Sequence, residues 1–537
     1  MVKKEDNKDK IKKAATAKKA TIGSPKPDST VRPKATVSSK KETAVRKTSP
    51  AALPKKTSDG KLRILLVASE CMPFAGTGGL GEVMGSLPQA LNANGCDARI
   101  VLPLYEGFPL PLRDKLHFIT HINVGLSWRQ QYCGVYSLEK EGVTYYFIDN
   151  EYYFKRTNLY GYYDEAERFA FFSRAVLDVL PYIEFVPDVL HLNDWQTALT
   201  AVYYRLYYQN RQSYAGIKVL YTIHNIEYQG KFGQDILEDV LGISKDEYLS
   251  LEWSGGVNFM KAAIEYSDYV STVSKTYAEE LNYAFFAHGL EDVIARNSRK
   301  MTGILNGINL DVWNPQNDKS LFAEYSLMDL AGKQANKAGI QAMLSLPVRK
   351  DVPLIALITR LVSHKGMDLI KEAADEILKR DVQLVVLGTG ESEFENFFEF
   401  LTGVYPDKFH AVIAFNKDLS HKIYAAADMF LMPSRSEPCG LSQMIAARYG
   451  AVPIVRATGG LKDSIEDCGD GDAGIGFVFD NYDAWDMIRG VDRAVGLYTD
   501  YRGKWNDLVR RAMSADFSWT ASALEYIKLY RKLLLRK

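Results

Sequence analysis

The sequence predicts an α/β protein with two doubly wound parallel sheets facing each other across a cleft, preceded by a disordered basic tail. Three observations carry this. Strand-like and helix-like stretches alternate in two series, divided near residues 306–315. The strand-like runs are continuously apolar rather than alternating, as expected of strands buried on both faces. A Gly-Gly-Leu turn appears in each series, at Gly78-Gly79-Leu80 and at Gly459-Gly460-Leu461, each time after a strand-like run and before a helix-like one.

The tail comes first. Residues 1–60 hold 17 Lys/Arg against 6 Asp/Glu, a net charge of +11, and contain no Phe, Trp or Tyr. Such a segment buries too little apolar surface to offset its ordering entropy. The remaining residues carry the balancing −11. The tail has no apolar core of a signal peptide, and its early acids (Glu5, Asp6, Asp9) do not suit a transit peptide. No apolar run reaches ~18 residues, so no membrane span is expected. The five cysteines are scattered with neither CxxC spacing nor a disulfide framework, which suits a reducing cytoplasm. The eight histidines show no HExxH or other metal spacing, so neither a metal nor a cofactor is expected. Nucleic acid is not expected as a partner; only the basic tail could touch it.

The first series begins at residues 62–68, an apolar run interrupted only by Arg63. Further strands are predicted at 99–102, 144–148, 189–191, 219–223 and 269–273, with helices at 82–94, 164–180, 197–209 and 258–266. The second series has strands at 354–358, 383–387, 411–414, 429–432 and 452–455, and helices such as 366–379 and 420–427. This alternation predicts parallel sheets. Ligands of such sheets bind beyond the C-terminal strand ends, so the loops after the strands hold the candidate site.

Those loops are rich in chemistry. After strand 429–432 come Ser434, Glu437, Cys439, Gly440 and Leu441, a carboxylate in a Pro- and Gly-containing turn. A carboxylate there can accept sugar hydroxyls or stabilise developing positive charge; capping of the next helix is the plainer role. After strand 354–358 come Arg360 and Lys365, two cations in a strand-to-helix turn that suit a diphosphate. After 189–191 come Asn193, Asp194 and Gln196, and after 219–223 come His224 and Asn225. The glycines Gly78, Gly79, Gly459 and Gly460 would let backbone N–H groups approach an anion held between the domains.

Taken together the motifs resemble the bacterial-type glycogen (starch) synthases, retaining glucosyltransferases of the GT-B architecture. They run in family order: GGLGEV at 78–83, DEAERF at 164–169, NDWQTAL at 193–199, TIHNIEYQGKF at 222–232, GILNG at 303–307, RLVSHKG at 360–366, SEPCGLSQ at 436–443, ATGGLKDS at 457–464 and DFSW at 516–519. The resemblance spans residues 61 to 535. It implies a Rossmann-like acceptor-side domain over 61–305, a Rossmann-like nucleotide-sugar domain over 306–515, and a C-terminal helix over 516–537 that packs back on the first domain.

It also implies a reaction, transfer of glucose from ADP-glucose to the non-reducing 4-OH of glycogen or another α-1,4-glucan with retention. Arg360 and Lys365 match the pair that neutralises the leaving diphosphate. Glu437 matches the carboxylate at the donor sugar, with Cys439, Gly440 and Leu441 at the glucose hydroxyls. Asp164 and Asn193 match glucose-side catalytic positions. Gly78, Gly79, His224, Asn225 and Asn306 fall in cleft motifs, Thr458, Gly459 and Gly460 in a phosphate loop, and Tyr449 near the nucleotide. The sequence departs from the family pattern at Gly76, where the pattern has Lys, and at Glu82, Gln196, His288, Asn309 and Ser436. These departures leave a second reading, a catalytically impaired paralogue that binds glucan or nucleotide and regulates a partner synthase.

Overall fold

A computed structural model describes residues 60–535; the basic tail, and with it the reading of residues 1–60 as disordered, lies outside them but for Gly60. Strand Leu62–Val67 forms the centre of a nine-stranded sheet. On one side it pairs in parallel with Cys96–Pro103, which pairs with Val143–Asp149. On the other it pairs with Val189–Asn193, followed outward by Lys218–Ile223, Tyr269–Thr272 and Met301–Gly303. The chain thus winds outward in both directions from Leu62–Val67. Ligand clefts form where the winding reverses, because the loops of the two neighbouring strands diverge there.

The sheet ends in a hairpin that the apolar runs do not announce. His117–Leu126 and Arg129–Lys140 pair antiparallel with each other, and the second pairs antiparallel with Val143–Asp149. One face of this hairpin is largely exposed, so its residues are mixed in polarity.

The second sheet has six parallel strands. From one edge to the other they are Phe409–Ile413, Gln383–Gly388, Leu354–Ile358, Met429–Met432, Val452–Arg456 and Phe477–Phe479. The winding reverses between Leu354–Ile358 and Met429–Met432, which places Arg360 and the loop carrying Glu437 side by side.

The chain crosses between the sheets twice, and the crossings are tied together. Ile308 donates its N–H to Phe517 O at 2.8 Å and forms an isolated bridge with Ser518. Beyond this point helix Trp519–Leu535 lies on the first domain. Its Trp519, Ala523, Tyr526, Ile527, Tyr530 and Leu533 are buried in one cluster with Ile64, Leu66, Val83 and Leu87. Tyr530 Oη sits 2.8 Å from His191 Nδ1 in the sheet below. Among the described residues no helix is long and apolar enough to cross a membrane.

Candidate active site

The loops after the strands enclose a cleft of about 760 Å³ with residues of both sheets on its walls. The first domain supplies Glu70 and Thr77–Leu80 after Leu62–Val67, Asp194–Gln196 after Val189–Asn193, and His224, Asn225 and Tyr228 after Lys218–Ile223. The second supplies Arg360, Lys365 and the run from Glu437 to Leu441. Asn306, at the first crossing, lies between them.

The second wall is organised around Glu437. Its side chain is buried, and its Oε2 accepts from Lys365 Nζ at 2.7 Å and from Ser434 Oγ at 3.0 Å. The turn carrying Lys365 abuts the strand end before Glu437: a Cβ on Gly366 (φ 82°) would lie 2.2 Å from Pro433 O. Only glycine permits that approach. Arg360 is exposed and has no ion-pair partner among the described residues. It therefore offers its guanidinium fork to an anion in the cleft. Burial pushes the Cys439 thiol up to about 12, so it stays protonated and is not a nucleophile.

On the first wall, Glu70 shapes the glycine loop. Its carboxylate accepts from Thr77 N at 2.6 Å, Thr77 Oγ1 at 2.9 Å and Tyr160 Oη at 2.8 Å. The loop is drawn back over the end of its strand. Gly78 and Gly79 face open space, with nothing within 4 Å of where a Cβ would be. A Cβ on Gly76 would lie 2.8 Å from Met72 Sδ, so the methionine occupies that room.

Asp194 is held under strain. Its backbone (φ 58°, ψ 178°) lies in a region that is essentially restricted to glycine. Its N–H donates to Thr222 O at 3.0 Å, and its Oδ1 accepts from His224 N at 2.7 Å. Burial pushes its pKa up to about 7 in spite of these N–H donors. Burial also pushes His224 down to about 3, so its ring is neutral. The ring Nε2 lies 2.9 Å from Asn193 Oδ1, while Asn193 Nδ2 donates to Val67 O and His191 O, both at 3.1 Å. An amide oxygen only accepts, so Nε2 carries the proton and Nδ1 keeps a lone pair. Two further groups point to a polar ligand. Gln196 Oε1 and Asn306 Oδ1 are buried on the cleft wall without a hydrogen-bond partner, and sugar hydroxyls would supply the missing donors.

Not all the residues anticipated from the sequence meet in this cleft. Glu437, Arg360, Lys365, Gly78, Gly79, His224, Asn225, Asn306, Cys439, Gly440 and Leu441 do. Asp164 does not line it: its carboxylate is taken by Arg156 at 2.6 and 2.7 Å, and the neighbouring Glu165 faces the cleft instead. Asn193 is fully buried and acts on the cleft through His224. Tyr449 is buried in the second domain, where its hydroxyl donates to Asp318 at 2.5 Å.

The second Gly-Gly-Leu turn is also displaced from the expected role. Thr458 Oγ1 and Gly459 N donate to the Glu280 carboxylate at 2.7 and 3.0 Å, and Gly460 N donates to Glu437 O at 3.0 Å. A Cβ on Gly459 would lie 2.0 Å from Glu437 O, and one on Gly460 2.1 Å from Cys439 O. These glycines let the turn support the Glu437–Leu441 wall from behind; their N–H groups are spent within the protein.

Asp194 and Gln196, in the polar cluster after Val189–Asn193, and Tyr228 also line the cleft, whereas Glu70, Thr77, Tyr160 and Glu165 line it without having been expected from the sequence. Glu70 was findable in part: it is an acid three residues past the end of Leu62–Val67, a strand that flanks the reversal of winding.

Comparison with known proteins adds the following. The family model described as starch synthase catalytic domain matches residues 63–296, and that described as glycosyl transferases group 1 matches residues 343–507. A glycogen synthase of Clostridium novyi (strain NT) is 47% identical over 481 residues, covering 88% of this chain and 99% of its own length. A glycogen synthase of Bacillus cereus (strain B4264) is 46% identical over 480 residues, covering 88% and 100%. The catalytic domain of starch synthase IV from Arabidopsis thaliana, solved bound to ADP and acarbose, superposes with a TM-score of 0.81 at 35% identity, covering 89% of this chain and all of that one. Sucrose-phosphate synthase from Thermosynechococcus elongatus, at 19% identity and a TM-score of 0.55, shares the fold.

Proposed function

The chain belongs to the glycogen and starch synthase family of glycosyltransferases, and on that premise we propose that it acts as an ADP-glucose:1,4-α-D-glucan 4-α-D-glucosyltransferase. Glucose passes from ADP-glucose to the non-reducing 4-OH of an α-1,4-glucan, and the anomeric configuration is kept. The observation that carries this is the placement of Arg360, Lys365 and Glu437 on one wall of a cleft whose opposite wall is the glycine loop. The ADP and acarbose bound by the Arabidopsis relative support the same pair of ligand classes here, a nucleotide and a glucan.

The barrier lies in breaking the bond between the anomeric carbon and the diphosphate, which leaves an oxocarbenium-like sugar and a charged leaving group. Lys365, held by Glu437, and Arg360 on the same wall supply positive charge where that negative charge grows. Glu437 is fixed 2.7 Å from Lys365, so a sugar beside the carboxylate places its anomeric oxygen near the cations. Charges held in place before the reaction lower the barrier without reorganisation. Gln196 and Asn306 offer their unpartnered oxygens to sugar hydroxyls. The acceptor hydroxyl attacks from the face the diphosphate leaves, and a departing phosphate oxygen takes its proton, so retention needs no covalent glycosyl-enzyme.

Glu437→Gln and Arg360→Ala test the assignment. Each is expected to lower kcat by about 10²–10³-fold with the fold intact by circular dichroism. Wild-type kcat in either variant would remove that residue from the mechanism.

A further inference from the structure

One short helix of the first domain reaches across to the catalytic wall of the second. Ser274, which caps helix Lys275–Glu280, donates its hydroxyl to Pro438 O at 2.7 Å. At the start of the helix, Thr276 N and Oγ1 donate to the two Asp463 carboxylate oxygens at 2.9 and 2.6 Å. At its end, Glu280 Oε1 accepts from Thr458 Oγ1 and Gly459 N. Asp463 itself lies in helix Gly459–Ser464, which begins directly after Thr458. The two helices therefore hold each other reciprocally, each through an acid near its own C-terminal end bound at the other's start.

The position of this contact matters more than its strength. Gly459 and Gly460 lie against the carbonyls of Glu437 and Cys439, and Gly460 N donates to Glu437 O. Pro438, which Ser274 contacts, is the next residue. The first domain thus reaches the Glu437 loop directly through Ser274 and indirectly through Glu280 and the Thr458–Gly460 turn. We propose that helix Lys275–Glu280 is a positioning clasp, in which Glu280 acts through the Thr458–Gly460 turn to set Glu437 against the first-domain wall.

The chemistry of the contact favours registration over simple adhesion. An apolar patch would hold the domains together without desolvating a carboxylate. Glu280 Oε2 is buried without a partner, and burial raises the pKa of the group. A hydrogen-bonded contact, however, weakens steeply when its geometry slips. Arg456 lies near Glu280 and donates to Ser434 O and Arg435 O at 3.1 and 2.8 Å, so the strand end leading to Glu437 is fixed from the same side.

This inference rests on the assignment of Glu437 to the reacting sugar, and the experiment separates the two. Full-length Glu280→Ala, Glu280→Gln, Asp463→Ala and Glu437→Ala are assayed for kcat and for KM toward ADP-glucose with glycogen as acceptor. Misplacing reacting groups by about 1 Å costs on the order of 100-fold. Glu280→Ala is therefore expected to lose about 10- to 100-fold in kcat, with KM within about threefold of wild type. Glu280→Gln keeps an acceptor oxygen for both donors and is expected to recover to within about fivefold. Asp463→Ala, at an exposed position, is expected to show the same split at about two- to fivefold and decides the matter should Glu280→Ala not fold. Unchanged kcat in Glu280→Ala and Asp463→Ala, beside an inactive Glu437→Ala, would overturn the clasp alone. So would kcat and KM changing in proportion, the signature of a general interface. An active Glu437→Ala would instead overturn the reading of the site on which the clasp rests.

Discussion

Gly76, next to Thr77 in the glycine loop, is where the chain departs from the family pattern by a charge. The family pattern places a lysine there, and the space is taken in this chain by Met72. Met72 meets a new side chain with the end of its own flexible thioether, so Gly76→Lys is tolerable once the methionine shifts. A charge-assisted contact is worth about 1.5–3 kcal/mol, one to two decades of binding. Gly76→Lys is therefore expected to lower KM for ADP-glucose or raise kcat by about tenfold; steady-state kinetics on both donor and acceptor would read this. If neither constant moves, Arg360 and Lys365 already meet the full charge of the donor.

Asp194 carries a stability cost in its buried carboxylate. Its folded pKa is pushed up to about 7, above that of an unfolded aspartate. Between those two values the folded chain retains a proton that the unfolded chain has released. Stability therefore falls as pH rises through that window and stays reduced above it. Asp194→Asn should melt at a higher temperature than wild type at pH 8, with the difference vanishing below about pH 4. Equal melting temperatures at pH 8 would mean that the carboxylate carries no desolvation cost.

At the scale of elements, the C-terminal helix Trp519–Leu535 completes the first domain rather than decorating it. Its Tyr530 bonds His191 in the sheet, and burial pushes that imidazole down to about 3, so it stays neutral. Tyr530→Phe removes one buried hydrogen bond and should cost about 1 kcal/mol, visible as a lowered urea midpoint with an unchanged slope. An unchanged midpoint would mean that His191 finds another partner.

The elements also show which features were legible in the sequence. Strands such as Leu62–Val67 and Leu354–Ile358 are buried on both faces and stand out as apolar runs. The hairpin His117–Lys140 does not, because one of its faces meets solvent and its residues alternate irregularly. The predicted helix at 197–209 is instead a 3-10 turn at Trp195–Thr197, an α-helix at Leu199–Tyr203 and a π-helix at Tyr204–Tyr208. The two Gly-Gly-Leu turns share a spelling and the position after a strand, but not a role. Gly78 and Gly79 face the open cleft, whereas Gly459 and Gly460 are covered by Glu437 and Cys439. Local sequence reports that a turn allows close approach; only the fold decides what approaches.

At the scale of the whole molecule, two reversals of winding are brought opposite each other by the paired crossings at Ile308 and Ser518. That is why residues 70, 194, 224, 360 and 437, from both halves of the chain, share one cleft. The charged residues of the second wall were legible because each follows a strand. Tyr160 was not, because its part in the cleft comes from a hydrogen bond to Glu70 in a loop distant in sequence. The Glu280 contact is of the same kind and appears only once both domains are in place.

If this cleft moves glucose from a nucleotide onto a glucan, the sugar can be followed directly. Incorporation of labelled glucose into glycogen, from ADP-glucose and from UDP-glucose in parallel, tests that transfer most directly, with Glu437→Ala as the control. Incorporation from ADP-glucose is expected in excess of that from UDP-glucose, in linkages cleaved by an α-1,4-specific amylase and lost in the variant. A folded chain that incorporates label from neither donor, or whose incorporation survives Glu437→Ala, would contradict it.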